Sequence, residues 1–215
     1  MYNKNITHLS VGHLATNCWI YPTGAGEAAV IDPGDDAQVI IDTLKKLSLA
    51  PKYILLTHGH FDHIAAIPHF INEFYDKPKI AIHRYDSHYL GSDSYKSHFM
   101  SVRAALGSDV FLDALWAGMP FADILLDDGS EIGPFTVLNL PGHSQGSVAF
   151  WDKETNTLFT GDTLFKGSYG RTDLPEGNED DMLSSLRRLF EMDPDIKVYP
   201  GHGDTTTIGK EAGKN

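Results

Sequence analysis

The stretch THGHFDH, residues 57–63, packs His58, His60, Asp62 and His63 into six positions. Three imidazoles and a carboxylate this close make sense mainly around a cation, so a metal site is the leading reading. The flanks supply the geometry. YILLT, residues 53–57, is a β-branched and apolar run suited to a buried strand, and Gly59 lets the backbone turn just after His58. HIAAIPHFINEF then carries Ile64, Ile67, Ile71 and Phe74 at helical spacing. The motif is expected at a strand end, a tight loop and a helix start, where α/β sheets place their ligands. Asp62 is expected to cap that helix while it serves the site.

The rest of the chain must supply further ligands and a core. With 215 residues and 41% hydrophobic content it suits one large domain. Its 29 acidic against 17 basic residues, a formal net charge of −12, argue against a nucleic-acid partner, which would need clustered Lys and Arg. The single cysteine, Cys18, permits no intramolecular disulfide, and in the apolar run CWIY it reads as a buried structural thiol. MYNKNITHLS lacks a hydrophobic h-region, and no apolar run reaches the ~18 residues that span a bilayer, so a cytoplasmic protein with no membrane partner is expected.

In chain order, THLSV and TNCWIYP read as strands separated by a turn at Gly12, and AAVIDPG as a third. Asp35 or Asp36 caps a helix through Leu49 with Val39, Ile40, Leu44 and Leu47 as its apolar face. Residues 28–58 are thus a strand, helix, strand unit. KIAIH is a further strand. Residues 84–122 have no strand pattern, contain helical pieces such as YKSHFMSVRAAL, and read as a crossover segment or lid, with aromatic residues such as Tyr89, Tyr95, Phe99, Phe111 and Trp116 lining a pocket or joining the core. ILLDDGSEI, FTVLNLPGH, SVAFWD and TLFTGD form an antiparallel meander, followed by the helix DDMLSSLRRLF and the strand IKVYPGH. The final dozen or so residues read as polar and frayed. Two β-rich halves with helices outside are expected, as a single domain over 1–215.

The later strands end in a repeated device. VLNLPGH and KVYPGH run into Pro-Gly-His at His143 and His202, and TLFTGD does the same for Asp162. Pro and Gly end the ladder and leave the next side chain free to point off the sheet edge. Singly each is an ordinary turn. Together with the first loop they make five His and two Asp.

THGHFDH followed in order by His143, Asp162 and His202 is similar to the metallo-β-lactamase superfamily over nearly the whole chain. The resemblance implies an α/β fold of four layers, an αββα sandwich with two metals at the sheet edges. It assigns His58, His60 and His143 to the first metal and Asp62, His63 and His202 to the second, with Asp162 bridging and Asp62 also orienting a bridging hydroxide. A bridging carboxylate rather than a cysteine resembles the glyoxalase II type of site. LFTGDTLFKGSYGRTDLPEG, residues 158–177, is similar both to single-domain glyoxalase II-like hydrolases and to persulfide dioxygenases, which share its GRTD segment. Long forms of glyoxalase II add a C-terminal helical domain with glutathione contacts, which is not expected in a chain that ends at Asn215. A basic residue matching Arg171 contacts glutathione's carboxylate in those long forms, so Arg171 is the expected substrate contact, with a structural pairing to Asp173 or Glu176 as the alternative.

The chemistry follows. Two metals roughly 3.5 Å apart would bridge a water, lower its pKa and polarise a carbonyl, with no serine or cysteine nucleophile. A thiolate leaves without strong acid assistance, so a small-molecule thioester of the S-lactoylglutathione type is the expected substrate. Iron-dependent oxygenation of a persulfide is the alternative, and nucleic-acid phosphodiester cleavage a more distant one. Nitrogen and oxygen donors suit zinc, the default here, and also iron or manganese. Asp32 in IDPG is a candidate for holding a ligand histidine's second nitrogen, as is His83 at the end of KIAIH. His8, His13, His69, His88 and His98 read as surface or packing residues.

Overall fold

The computed structural model describes residues 5–213; Met1–Lys4 and the last two residues lie outside them. β1 (Thr7–Val11), β2 (Thr16–Gly24) and β3 (Glu27–Ile31) are antiparallel. With β4 (Ala50–Leu55), β5 (Lys79–His83) and β6 (Ile124–Leu126), which run parallel to β3, they form a six-stranded sheet in chain order. The second sheet begins with the expected antiparallel meander, β7 (Glu131–Ile132), β8 (Phe135–Asn139), β9 (Val148–Asp152) and β10 (Thr157–Gly161). A small hairpin of β11 (Leu164–Phe165) and β12 (Ser168–Tyr169) leaves β10. β13 (Lys197–Pro200) then returns parallel to β10, and β14 (Thr206–Thr207) closes the edge.

Period-two alternation turns two sheets into four layers. On β2, Cys18 and Ile20 face a core made with α1 (Ala37–Leu47), α2 (Phe61–Ile64), α3 (Ile67–Phe70), α4 (Tyr95–Leu106) and α5 (Val110–Leu115). Trp19 and Tyr21 point the other way, onto Phe135, Phe150 and Phe159 of the second sheet. On that sheet Leu138, Ala149, Leu158 and Val198 face outward to Met182, Leu186 and Leu189 of α6 (Glu179–Phe190) and to Ile208 of α7 (Ile208–Ala212). The result is the αββα sandwich. Each phenylalanine between the sheets contributes about 1.5–3 kcal/mol relative to exposure.

Several local expectations change. The helix expected across HIAAIPHFINEF breaks into α2 and α3, because the Pro68 ring has no N–H to donate and collides with the carbonyl a turn earlier. The buried face of α1 is Ile40, Ile41 and Leu44, while Val39 and Leu47 stay exposed. Neither Asp35 nor Asp36 caps it: Asp36 is left-handed, and its carboxylate accepts the Gly12 amide at 2.9 Å. ILLDDGSEI is two strands in different sheets, divided at Gly129 with φ +77°. The C-terminal stretch is not frayed through residue 213, since β14 and α7 bury Ile208 and Glu211. Residues 84–122 form the crossover between β5 and β6, as a 3-10 turn (Arg84–Tyr89), α4 and α5. Tyr89 is buried there, and Tyr95, Phe99, Phe111 and Trp116 pack partly buried against the first core.

Candidate metal centre

Parallel pairing brings the carboxyl ends of β3, β4 and β5 to one edge, where they carry Asp32, the 57–63 loop and Asp86. β8, β10 and β13 end on the facing edge with His143, Asp162 and His202. The two edges are tied directly: the Asn17 amide donates to the Gly201 carbonyl at 2.7 Å, and Thr16 bridges to His202. Gly201 has to be a glycine, since a Cβ there would lie 2.2 Å from Asp162 Oδ1. Gly59 serves differently from the expected turn. Its φ is not positive, and a Cβ would instead enter the Tyr89 ring at 2.2 Å.

All seven residues singled out by the motifs meet here. Ligand-competent atoms of His58, His60 and His143 lie within 4.8 Å of one another, as do those of Asp62, His63 and His202, and those of His58, His63 and Asp162. Asp162 sits between the two triads: Oδ1 is 3.5 Å from His63 Nε2, while Oδ2 is 3.6 Å from both His143 Nε2 and His202 Nε2. Asp62 Oδ2 is 3.5 Å from His63 Nε2 and 3.4 Å from His202 Nε2. His58 Nε2, His63 Nε2 and Asp162 Oδ1 are buried without any hydrogen-bond partner. Such orphaned atoms are costly unless a cation takes their lone pairs, so the donor set fits metal ions.

Outer contacts fix which nitrogens face inward. Asp32 accepts the Thr57 amide at 2.8 Å and the Thr57 hydroxyl at 2.6 Å, and it holds His63 Nδ1 at 3.0 Å, the role anticipated for it. His143 Nδ1 donates to the Arg171 carbonyl at 2.8 Å, which leaves its Nε2 unprotonated toward the site. Thr16 donates its hydroxyl to Asp62 at 3.0 Å. Asp62 is not the helix cap; it lies inside α2, whose cap position is His60 and has no side-chain cap bond.

Burial, then the neighbouring imidazoles, push His58 and His60 well below the ordinary histidine range. Burial also works against a charged His63, but Asp62, Asp162 and Asp32 outweigh it and raise it to about 10. His202 is raised as well, and Asp62 is lowered by His63 and His202 despite its burial. The carboxylates demand a positive charge, and protons supply it where a metal would.

Two contributors were not legible in the motifs. Asp86, fully buried, accepts the Gly59 amide at 2.9 Å, the Gly146 amide at 2.6 Å and the Ser144 hydroxyl at 2.7 Å, joining the first histidine loop to the His143 loop. Its only sequence signal is its place three residues past a strand end on the ligand edge. It holds the position considered for His83, whose Nδ1 instead accepts the Tyr85 amide at 3.4 Å. Thr16, at the start of β2, carried no signal at all. His8, His13, His69, His88 and His98 stay outside the triads; His98 is buried packing, held to the Tyr89 carbonyl at 2.8 Å. Arg171 pairs with Asp173 through Nε at 2.6 Å and Nη2 at 2.9 Å. The buried Ser144 is committed to Asp86, and burial raises the Cys18 thiol far above its usual range, so neither is an activated nucleophile.

A sandwich of two facing sheets with a paired His/Asp cluster on one edge defines a metal-dependent hydrolase scaffold. The chain belongs to the metallo-beta-lactamase superfamily, whose sequence profile matches residues 11–202. Hydroxyacylglutathione hydrolase GloC of Haemophilus influenzae is 35% identical over 98% of this chain and 96% of its own length. The solved structure of TTHA1623 in a di-iron-bound form is 33% identical, with a TM-score of 0.82 over 97% of this chain and 98% of its own. BLEG-1 B3 metallo-beta-lactamase is 34% identical, with a TM-score of 0.81 over 95% of each chain. No helix among the described residues is long and apolar enough to cross a membrane.

Proposed function

We propose that this chain hydrolyses small thioesters of the S-lactoylglutathione type with two divalent metals held by His58, His60 and His143 and by Asp62, His63 and His202, Asp162 serving both. The observation that carries this reading is Asp162, whose carboxylate lies against both triads, Oδ2 beside His143 and His202 and Oδ1 beside His63. Bound there, the metals would activate a water and polarise the substrate carbonyl. The chain's own part is to hold neutral imidazole lone pairs and carboxylates in place. Asp32 and the Arg171 carbonyl set the tautomers of His63 and His143, and Asp62 orients the attacking water. Among the described residues, no side chain near the site outside the proposed ligand set is a ready general acid, which suits a thiolate leaving group better than an amide. The GloC relative supports the thioester class.

Arg171 is proposed to grip a substrate carboxylate, exchanging its Asp173 partner for the substrate. The metals are proposed as zinc, with iron as the rival that the di-iron relative keeps in view. Metal analysis, run beside a paired assay of thioester hydrolysis and oxygen uptake, tests the reading. Close to two metals per chain and hydrolysis without oxygen uptake are expected. Oxygen consumption with a persulfide by a protein holding one iron, unaffected by added zinc or manganese, would overturn it.

A further inference from the structure

We propose that the apolar cleft opening on His60 and Asp62 is an acyl pocket, and that among short acyl thioesters turnover rises with acyl chain length. This rests on the thioester reading above. The cleft is walled by Leu14 from the β1–β2 turn, by Val102, Ala105 and Leu106 on one face of α4, by Phe111 of α5 and by Leu174. Val102, Ala105 and Leu106 stand at i, i+3 and i+4, so a single helix face is turned toward the site. Leu14 and Leu106 remain 43% and 45% exposed, although each lies within reach of apolar neighbours across the cleft. An occupant would cover them.

The wall's polarity selects the occupant. Apart from His60 and Asp62, Ser101 is the polar side chain among the described lining residues, and its hydroxyl donates to the His98 carbonyl at 3.2 Å. An acyl hydrocarbon chain gains by burial against this wall. An acyl carboxylate would face Asp62. A volume of about 50 Å³ is too small for a whole ligand, whose pockets run to roughly 300–1,000 Å³, and suits one short substituent. Water adds to the acyl carbon, the C–S bond breaks, and the water's oxygen and one proton end on the carboxylic acid while its other proton ends on the thiol.

The test uses the metal-loaded protein and thioesters of one uncharged thiol, N-acetylcysteamine, with acetyl, propionyl and butyryl groups, each rate divided by its hydroxide-catalysed rate. Normalised kcat/KM should rise about 3–4-fold per methylene from acetyl to butyryl, the value of one buried CH2. In Ala105→Phe, which fills the cleft, the butyryl-to-acetyl ratio should collapse toward one. Binding of the non-hydrolysable S-methyl, S-propyl and S-butyl thioethers, measured by calorimetry, should show the same gradient. Good turnover with a flat chain-length profile would overturn the acyl pocket and leave the thioester reading standing. Absence of turnover on every thioester with a chain-length gradient in thioether binding would do the reverse.

Discussion

The flank of the site that carries His58, His60 and His143 is closed, whereas the flank that carries Asp62, His63 and His202 reaches solvent; the His143 side chain is 4% exposed and that of His202 28%. The closed flank is walled by the crossover, with Tyr89 beside His60 and with Phe61, His98 and Trp116 stacked behind it. Its triad is all imidazole, and burial holds His58 and His60 neutral. The open flank carries carboxylate and is rimmed by the exposed ion pair of Lys166 with Asp204, whereas the exposed Arg171–Asp173 pair lies beside His143. Burial therefore prepares uncharged donors on one side, and charge pairing prepares anionic ones on the other. Asp162 is where the two meet.

Removing that meeting point should have the largest effect. Asp162→Ala should lower kcat by about a thousandfold, roughly 4 kcal/mol, and drop metal content from near two per chain to one or fewer, as read by steady-state kinetics and metal analysis. A variant that kept both metals would dissolve the comparison, since each triad would then stand alone.

The closed flank carries its own acid sensitivity. Burial lowers His98 from 6.5 to about 4, so the folded protein binds fewer protons than the unfolded chain between those values. Stability from this group is present above pH 6.5 and is lost as pH falls toward 4, by about 3 kcal/mol. In His98→Phe the drop in unfolding free energy between pH 6.5 and 4, from urea titrations, should shrink by about that amount. An unchanged acid limb would place the sensitivity elsewhere.

Asp86 separates the flanks at the level of metal affinity. Asp86→Asn replaces an acceptor of three hydrogen bonds that positions only the His58/His60 and His143 loops. Chelator competition should show one site weakened about 10–100-fold and the other unchanged. Equal weakening of both would make Asp86 a general scaffold.

The smallest effect belongs to the exposed rim beside His143. Arg171→Ala should raise KM about tenfold, near 1.4 kcal/mol, for a carboxylate-bearing thioester such as S-lactoylglutathione, and change little for an uncharged one. Metal content should hold, because His143 is anchored by the Arg171 backbone carbonyl and not by its side chain. Equal losses on both substrates would assign the guanidinium to Asp173 and the loop.

THGHFDH, the two Pro-Gly-His strand ends and Asp162 were readable from the chain because each is a local statement: ligand-type residues crowded together, or placed where proline and glycine stop a ladder. The apolar runs of β2 and β8–β10 were equally plain, since a strand with a core on both faces needs apolar residues at nearly every position. What the sequence by itself determined was therefore the ligand inventory, the two sheets and the class of chemistry. Tertiary structure decided the rest. Asp36 turned away from its helix to meet Gly12, and Asp62 left the cap for Thr16 and the imidazoles. Asp86 became a strut because parallel pairing set the end of β5 beside that of β4, and Thr16 reached the site because β2 abuts β13. A lone aspartate or threonine has the same local signal in a turn as in a site. Its role is fixed by which strand end the sheet order lays beside it, and that depends on contacts between residues far apart in the chain.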